Sequence, residues 1–574
     1  MTTSEHAPDL PPYDPKRFLS ASYPERVRLA CVTWANESPN LPSVMALYWF
    51  KYFVGLIGGW AFWCSFDAGW PGFRAVADWA FTPAAFKKAM VWSTFWELAG
   101  FGCGWGPMNA RFDPWFGGYR HFLRPGTIKL PVFRGAPLIG GDTRNWLDVL
   151  VYAATQLFLL RALVAPEVTP ALLAPLMATI PVMGLLDKTL WLAARAEHYF
   201  VVLFCLVFAR SEALWIAGAK LTWCFIWFWA ATSKLNRHFP SVIMFMMNNG
   251  PFFPKAMKKR LFENYPDDLR PSRFAATMAH FGTLAEYSIP VLLVAGAGSP
   301  VVRILGLVLM TGFHGFIGLN NPNGMPVEWN ILMIYGGIFL FGFHPDVGLS
   351  TLAQDPLLLT LLLVSLALVP TFGNFFPSKA SFLLSMRYYA GNWAYNIWLV
   401  RKGGAAAKFD RLKKAAPLAQ DQLAKFVPDP EQFEVAKVMM TVSRFMHFQG
   451  RPLLEALPAA VGNLDDYEWN EGELMGGMIL GWNFGDGHLN GGRLLRAIQP
   501  ICGFERGEVR IVSVESQPLF GPTMHWRVID AVDGVVAEGR TRLADYDGVQ
   551  PYPTGRFAEA LGAGRTGSSA DAPT

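Results

Sequence analysis

One apolar stretch of the chain ends in AATSKL, which places Lys234 at or near a membrane boundary. Four other ionisable residues lie in or beside apolar segments, namely His198, His280, Glu286 and His314. An ionised side chain in hydrocarbon is costly, and such residues commonly mark functional sites. A lysine removed from water binds its proton less tightly and can act as a general base. The sequence therefore predicts a proton-transfer site around Lys234.

A polar stripe is predicted on the helix that carries His280. Successive helical residues turn by about 100 degrees, so His280 and Glu286 lie about 120 degrees apart and need not face the same neighbour. Thr283 and Tyr287 share the side of His280. We assign Lys234, His198, His280 and Glu286 as catalytic candidates, and His314, Tyr287 and Thr283 as ligand-binding candidates.

Each of these residues also has a structural interpretation. A lysine near a helix end can extend its ammonium to the membrane interface while its stem stays apolar. Histidines of a transmembrane bundle often bond to a neighbouring helix, and a buried carboxyl usually has a partner. The functional interpretation gains weight only from the four segments taken together.

The composition is that of a polytopic membrane protein with soluble parts. Hydrophobic residues make up 52% of the 574 residues and charged residues only 16%. The six cysteines are dispersed, which favours buried thiols over disulfides or zinc. A net charge of +5 is modest for this length, and nucleic acid is not expected as a partner.

A bilayer crossing needs about 20 apolar residues, and the sequence offers about ten such segments. If closely spaced segments are re-entrant, the count falls to eight or nine. The predicted spans are 44–66, 86–106, 147–165, 169–190, 198–217, 218–235, 274–297, 299–319, 328–345 and 353–373.

The basic residues of the loops predict the orientation. The loops 107–146 and 236–273 are rich in lysine and arginine, whereas the turns 320–327 and 345–351 contain neither. Basic loops favour the cytoplasmic side. We therefore predict a multi-pass protein of the inner (plasma) membrane with cytoplasmic N- and C-termini and no cleaved signal peptide.

The predicted fold is an all-α polytopic membrane bundle of about eight to ten helices with a C-terminal soluble α+β domain. Aromatic and basic residues near 376–404 are typical of an interfacial helix. The predicted organisation is an N-terminal cytoplasmic segment (1–43), the bundle (44–375), an interfacial helix and linker (376–404), the soluble domain (405–556) and a disordered tail (557–574).

Within the soluble domain, periodicity predicts helices at 406–426 and 430–448. Strand-like stretches follow near 473–482, 508–516, 523–531 and 535–543, and the last three predict an antiparallel meander. Glu471, Glu473, Asp486, His488 and Asn490 could ligate a metal, but turn and strand-end roles explain them better, and no metal site is predicted.

Four motifs follow each other in the order EHYFVVLF, WFWAATSKL, AHFGTLAEYSIPVLL and LMTGFHGFIGL, over about 195–345. This order resembles the vitamin K-dependent gamma-carboxylase-like family of horizontally transferred transmembrane domains. The chain also resembles a large bacterial transmembrane family with a C-terminal soluble domain. Two departures are that Lys234 is single where the carboxylase has two adjacent lysines, and that Glu197 precedes His198 in place of asparagine.

The resemblance implies a membrane enzyme linked to a quinone or lipid. Lys234 would correspond to the family's catalytic lysine, which removes a proton from a reduced quinone, and His198 to the assisting histidine. An isoprenoid quinone or lipid is then the implied ligand. The implied pocket would be surrounded by His198, Lys234, His280, Glu286 and His314.

Other classes remain open. A transporter or lipid carrier would use the intramembrane charges as a pathway, and a scaffold would bind a protein partner through the C-terminal domain. A membrane O-acyltransferase could work with His314. Desaturases and hydroxylases need clustered histidines, and the ten histidines here are scattered.

Overall fold

The computed structural model describes residues 14–36, 42–102, 118–250, 253–320, 327–482 and 486–551. The first residues of the N-terminal segment, part of the loop 107–146, the turn 321–326 and the predicted disordered tail lie outside this range. All structural statements below concern the described residues.

The chain is mostly helical, with a short hairpin near its middle and a small sheet in its C-terminal part. Five described helices are long and apolar enough to cross a membrane. They are Trp146–Val164, Glu212–Ser233, Arg273–Ala295, Pro300–Leu319 and Pro356–Phe375. Three further apolar helices are shorter, namely Pro170–Leu186, Tyr199–Phe208 and Val327–Phe343.

Five long helices are fewer than the eight to ten spans predicted. The prediction counted apolar length alone, whereas polar residues and breaks divide several of the apolar segments. Asp187 ends one helix and caps the next, and Ser211 begins the helix Glu212–Ser233 by accepting a hydrogen bond from the Leu214 amide. The predicted fifth and sixth spans therefore become one short helix and one long helix.

The remaining described helices are shorter than the five long ones. In the N-terminal half they are Pro15–Ser20, Tyr23–Asn36, Pro42–Phe50, Lys51–Gly58, Gly59–Cys64, Val76–Trp79, Pro83–Leu98, Tyr119–Phe122, Lys188–Ala193, Phe239–Asn249 and Lys255–Lys259. In the C-terminal region they are Ala419–Leu423, Pro430–Met446, Leu453–Ala460, Gly472–Leu480 and Gly492–Cys502.

Helix Glu212–Ser233 is the inner element of the apolar set. Its most apolar window is 78% buried inside the protein, compared with 17% for helix Pro300–Leu319. It packs against helices Tyr199–Phe208 and Arg273–Ala295. Lys234 directly follows its last turn, so the backbone places this lysine in the protein interior.

The C-terminal region is built on a five-stranded antiparallel sheet in the order β4-β3-β5-β6-β7. Its strands are β3 (Tyr395–Arg401), β4 (Tyr467–Glu471), β5 (Val509–Val514), β6 (Thr523–Asp530) and β7 (Gly534–Arg542). A separate hairpin pairs β1 (Phe262–Asn264) with β2 (Asp268–Pro271). The predicted meander is confirmed as β5, β6 and β7.

Strand β3 corrects the prediction of an interfacial helix at 376–404. This segment holds short 3-10 turns at Pro377–Lys379 and Arg387–Ala390, followed by β3 in the interior of the sheet. Every residue of β3 except Arg401 is buried. A strand that is buried on both faces has a continuous apolar sequence without alternation. Such a sequence cannot be distinguished from a buried helix by its periodicity.

Two other local predictions differ from the structure. The stretch 473–482, predicted as a strand, belongs to helix Gly472–Leu480, which Glu471 caps and which ends at Gly481 in the left-handed conformation. The glycine and methionine residues of this stretch give no clear helical pattern of apolar and polar residues. The predicted helix 406–426 is reduced to the 3-10 turn Ala406–Arg411 and helix Ala419–Leu423, whereas helix Pro430–Met446 confirms the prediction at 430–448.

Candidate functional site

Lys234 forms a buried ion pair with Glu286. Its Nζ atom lies 2.5 Å from Glu286 Oε2, and each side chain is 5% exposed. The rings of Phe239 and Phe313 flank the ammonium, with centroids 5.3 Å and 5.2 Å from Nζ. The Lys234 side chain therefore points into the protein interior and not to its surface.

Hydroxyl groups lie on both helices that form this pair. Tyr287 follows Glu286 in the sequence, and its hydroxyl lies 2.7 Å from Thr232 Oγ1, two residues before Lys234. Thr283 is buried and donates a hydrogen bond to the Ala279 carbonyl of its own helix, at 3.0 Å. Tyr287 thus joins the two helices, while Thr283 is bound to its own backbone.

His314 is held by two polar neighbours. The indole Nε1 of Trp227 donates to His314 Nε2 at 2.8 Å, and His314 Nδ1 lies 2.9 Å from Asn330 Oδ1. Because the first nitrogen accepts and the second faces an acceptor, the proton of the neutral ring lies on Nδ1. Both nitrogens are occupied, as in a structural hydrogen-bond network.

His280 lies apart from the Lys234–Glu286 pair. It is exposed on the outer surface of its helix, in a shallow groove shared with Arg273 and Thr277. Glu286 is buried, in keeping with the predicted angular separation on this helix. The structure therefore does not bring His280 into the interior with Lys234, and the expected stripe is exposed at His280 but buried at Thr283.

His198 belongs to a second buried polar group. Its side chain lies edge-on to the Trp223 ring, with centroids 4.5 Å apart, and its Nε2 has no hydrogen-bond partner among the described residues. Nearby, Arg195 Nη2 lies 2.5 Å from Glu197 Oε1 and donates to the Tyr389 hydroxyl at 2.9 Å. The glutamate that replaces the family's asparagine is thus paired with arginine.

Sequence reasoning missed part of this second group. The buried carboxyl groups of Glu97 and Glu328 interact electrostatically with each other and with Arg195 and Lys51. Lys51 also donates to the Gly102 carbonyl at 2.7 Å. The available signal was an ionisable residue inside an apolar run, in WFKYF for Lys51 and in VEWN for Glu328.

A cavity of about 960 Å³ lies between the apolar helices and the C-terminal sheet. One wall is apolar and comes from Leu185, Trp191, Leu192, Val369 and Phe372. Leu185 is 43% exposed and Phe372 48% exposed, so this wall continues onto the apolar outer surface. The volume is in the range of sites that bind small organic molecules.

The other part of the cavity lining, here called the basic wall, is polar and positively charged. It carries Lys188, Lys379, Arg493, Arg496 and Arg527. The side chains of Lys188, Lys379 and Arg496 form no hydrogen bond or ion pair with the described residues. A basic surface of this kind attracts anionic groups.

His488 lies at the floor of the cavity between two carboxylates. Its Nε2 is 2.8 Å from Glu515 Oε2, and its Nδ1 is 3.4 Å from Asp486 Oδ1. Burial disfavours the imidazolium, but the two carboxylates outweigh burial and raise the pKa of His488 above its usual value. Burial also disfavours the Glu515 carboxylate, yet His488 and Arg387 lower the pKa of Glu515 to about 2. Both shifts favour the ionised form of the pair.

The acidic residues considered as metal ligands have other partners. Glu471 lies 2.8 Å from Arg444, and Glu473 accepts a hydrogen bond from the same arginine. Asn490 accepts a hydrogen bond from Asn396, and Asp486 accepts one from Ser381 at 3.0 Å. Within the described ranges, no group of three or more acidic, histidine or cysteine side chains has a metal-binding arrangement.

These features define a mostly helical membrane protein with a C-terminal sheet region. A family model described as a transmembrane protein of unknown function (DUF3556) matches residues 5–560, and the chain belongs to that family. No curated protein matches the chain, and no solved structure matches it. None of these comparisons links the chain to the gamma-carboxylase-like family.

Proposed function

We propose that this protein binds an amphiphilic molecule, which enters the cavity between the apolar helices and the C-terminal sheet from the bilayer. The observation that carries this proposal is the mixed lining, which combines apolar residues of the helices with basic residues from both the helices and the sheet region. An acyl or isoprenoid chain would leave water or lipid to contact Leu185, Trp191 and Phe372. The polar end of the molecule would face the basic wall.

Ser513 offers a way to fill the cavity without breaking a known contact. It lines the cavity from β5, is partly exposed, and its hydroxyl forms no hydrogen bond with the described residues. A Ser513→Trp substitution would place an indole in the space where the ligand is expected. Val536→Trp is the matched control, because Val536 is exposed on β7 and does not line the cavity.

The test is native mass spectrometry of lipids that copurify with the three proteins. We expect a bound lipid in the wild-type protein and in Val536→Trp, and its loss in Ser513→Trp. Equal lipid content in all three proteins would contradict the proposal. Thermal unfolding in the same detergent checks that Ser513→Trp is folded.

A second proposal concerns the Lys234–Glu286 pair. We propose that it is the proton-transfer centre of a membrane enzyme acting on a reduced quinone or a lipid, with Tyr287 as a further participant. His198 would act only from a distance, because it contacts Trp223, eleven residues or about 16 Å along the helix from Lys234. The supporting observation is the 2.5 Å contact between two ionisable groups that are both 5% exposed. In such surroundings a proton can move between ammonium and carboxylate at low cost in solvent reorganisation.

The test of the second proposal uses a variant that leaves no unpaired charge. The double substitution Lys234→Met with Glu286→Leu removes both partners and keeps the apolar packing. In lipid nanodiscs with a reduced naphthoquinone, we expect the wild-type protein to raise oxygen uptake above the spontaneous oxidation measured in empty nanodiscs, and the folded double variant to show no such increase. Equal uptake by both would contradict a role for the pair in this chemistry.

A further inference from the structure

The basic residues of the cavity come from four separate parts of the chain. Lys188 begins helix Lys188–Ala193, and Lys379 lies in the turn after helix Val369–Phe375. Arg493 and Arg496 lie one turn apart on helix Gly492–Cys502, and Arg527 lies on β6. Their convergence on one wall is a product of the tertiary fold and not of a local basic run.

The two acidic residues of the cavity lining offset its five basic residues only in part, although Asp486 interacts electrostatically with Lys188. Asp486 and Glu515 are the two acidic lining residues, and both are engaged by His488. Asp187 precedes Lys188 in the sequence, but its carboxylate pairs with Arg144. The wall therefore keeps an excess of positive charge.

Arg493 is held in place by the backbone. It donates a hydrogen bond to the Pro131 carbonyl, and burial lowers its pKa because an ionised guanidinium is partly desolvated there. Arg527 lies 4.0 Å from Glu538, at the limit of an ion pair. Both guanidinium groups therefore retain donor capacity toward the cavity.

We propose that the cavity binds the phosphate head group of an anionic lipid, an inference that rests on the proposed amphiphile site. A phosphate group carries up to two charges and presents several oxygens, which arginine forks bind in a bidentate manner. A carboxylate offers one charge and two oxygens, fewer than the converging basic residues can bind. The apolar wall assigns the phosphate to a lipid and not to a free ion.

The head-group test uses four soluble probes and the full-length protein in detergent. They are dioctanoyl phosphatidate, dioctanoylglycerol, inorganic phosphate and octanoate. Isothermal titration measures the affinity of each probe. We expect dioctanoyl phosphatidate to bind at least about tenfold more tightly than the others, in the range of charge-assisted hydrogen bonds.

Two variants locate the phosphate on the basic wall. Lys188→Gln and Arg496→Gln remove charges that have no partner among the described residues, so folding should be preserved. Each should weaken dioctanoyl phosphatidate binding about tenfold and leave dioctanoylglycerol binding unchanged. Arg540→Gln is the control, because Arg540 is exposed on β7 outside the cavity.

The outcomes separate this inference from the proposed function. Equal affinity for dioctanoyl phosphatidate and dioctanoylglycerol, unchanged in Arg496→Gln, would overturn the phosphate assignment while amphiphile binding stands. Inorganic phosphate binding as tightly as the lipid would overturn the assignment to a lipid. If neither lipid probe binds, and Ser513→Trp has no effect, the proposed function itself fails.

Discussion

Lysines inside the helical bundle and basic residues in the cavity between the helices and the sheet differ in whether they have partners within the protein. Lys234 is paired with Glu286, and Lys220 donates to the carbonyls of His344 and Val347 at 2.8 Å and 2.6 Å. In the cavity, Lys188 and Arg496 form no such contacts with the described residues. These two bundle cations have partners inside the protein, whereas these two cavity cations remain available to a ligand.

This difference indicates that a charged ligand binds more easily in the cavity than in the bundle. A buried charge that already has a partner must lose that partner before it can bind anything else, and breaking such a pair is costly. A basic residue beside an open volume loses only hydration. The comparison therefore predicts large effects on stability in the bundle and small ones in the cavity.

The largest effect is expected from breaking the intramembrane pair. Lys234→Met leaves the Glu286 carboxylate buried and unpaired, and should lower the free energy of unfolding by about 3–5 kcal/mol. Adding Glu286→Leu should restore most of this loss. Thermal unfolding in detergent measures both changes. A double variant no more stable than Lys234→Met would contradict the structural cost of an unpaired Glu286. His280→Ala, on the outer surface, is the control.

A smaller loss is expected where one neutral hydrogen bond is removed. Trp227→Phe deletes the donor to His314 and leaves Nε2 of a buried ring unsatisfied. The expected destabilisation is about 1–3 kcal/mol, measured by the same unfolding assay. A substitution of Trp215, which has no side-chain hydrogen bond to the described residues, by Phe should cost less. If Trp215→Phe destabilised the protein more than Trp227→Phe, this result would contradict a stabilising hydrogen bond between Trp227 and His314.

The His488 contacts predict a pH-dependent contribution of about 1–2 kcal/mol. Because the pKa of His488 is raised in the folded protein, its contribution is complete below the unfolded value of about 6.5 and is lost as pH rises through the folded value. Glu515, with a pKa of about 2, contributes above the unfolded value of about 4.3 and loses its effect only in strong acid.

His488→Gln tests this sign. The groups that face His488 are Asp486, Glu515 and Arg387, and the variant keeps them. The difference in unfolding free energy from the wild-type protein should be larger at pH 6 than at pH 9. A difference that grows with pH would contradict a protonated His488. His280→Gln, on the exposed face of helix Arg273–Ala295, serves as a control.

The smallest effect on stability is expected for the cavity cations. Lys188→Gln and Arg496→Gln should change the free energy of unfolding by less than about 0.5 kcal/mol without ligand, because no described partner is lost. The same variants should reduce the thermal stabilisation that dioctanoyl phosphatidate gives. A large loss of stability without ligand would show that these residues stabilise the fold, as the paired charges of the bundle do, and would contradict their availability to a ligand.

Sequence reasoning found the elements with local signals. The apolar segments, the meander of β5 to β7 and the polar residues Lys234 and Glu286 were visible because each depends on neighbouring residues or on one helix. It also indicated that His280 and Glu286 face different directions. The domain boundaries, the membrane orientation and the catalytic roles stay predictions.

Two features could not be predicted, for physical reasons. Strand β3 lacks the alternation of a half-buried strand because both of its faces are covered. The cavity is lined by residues as far apart as Lys188 and Arg527, and no local pattern shows that they meet. Glu328 and Lys51 gave only the signal of single charges in apolar runs.

The position of β3 has a consequence for the synthesis of this protein. It emerges from the ribosome soon after the last long apolar helix, yet its two neighbours are β4 and β5, which are made later. Both edges of this apolar strand are open until β4 has been made, and one edge stays open until the chain has been extended past Val514. Truncation between β4 and β5 should therefore give an aggregating product recognised by quality-control proteases, even though every apolar helix of the bundle is present.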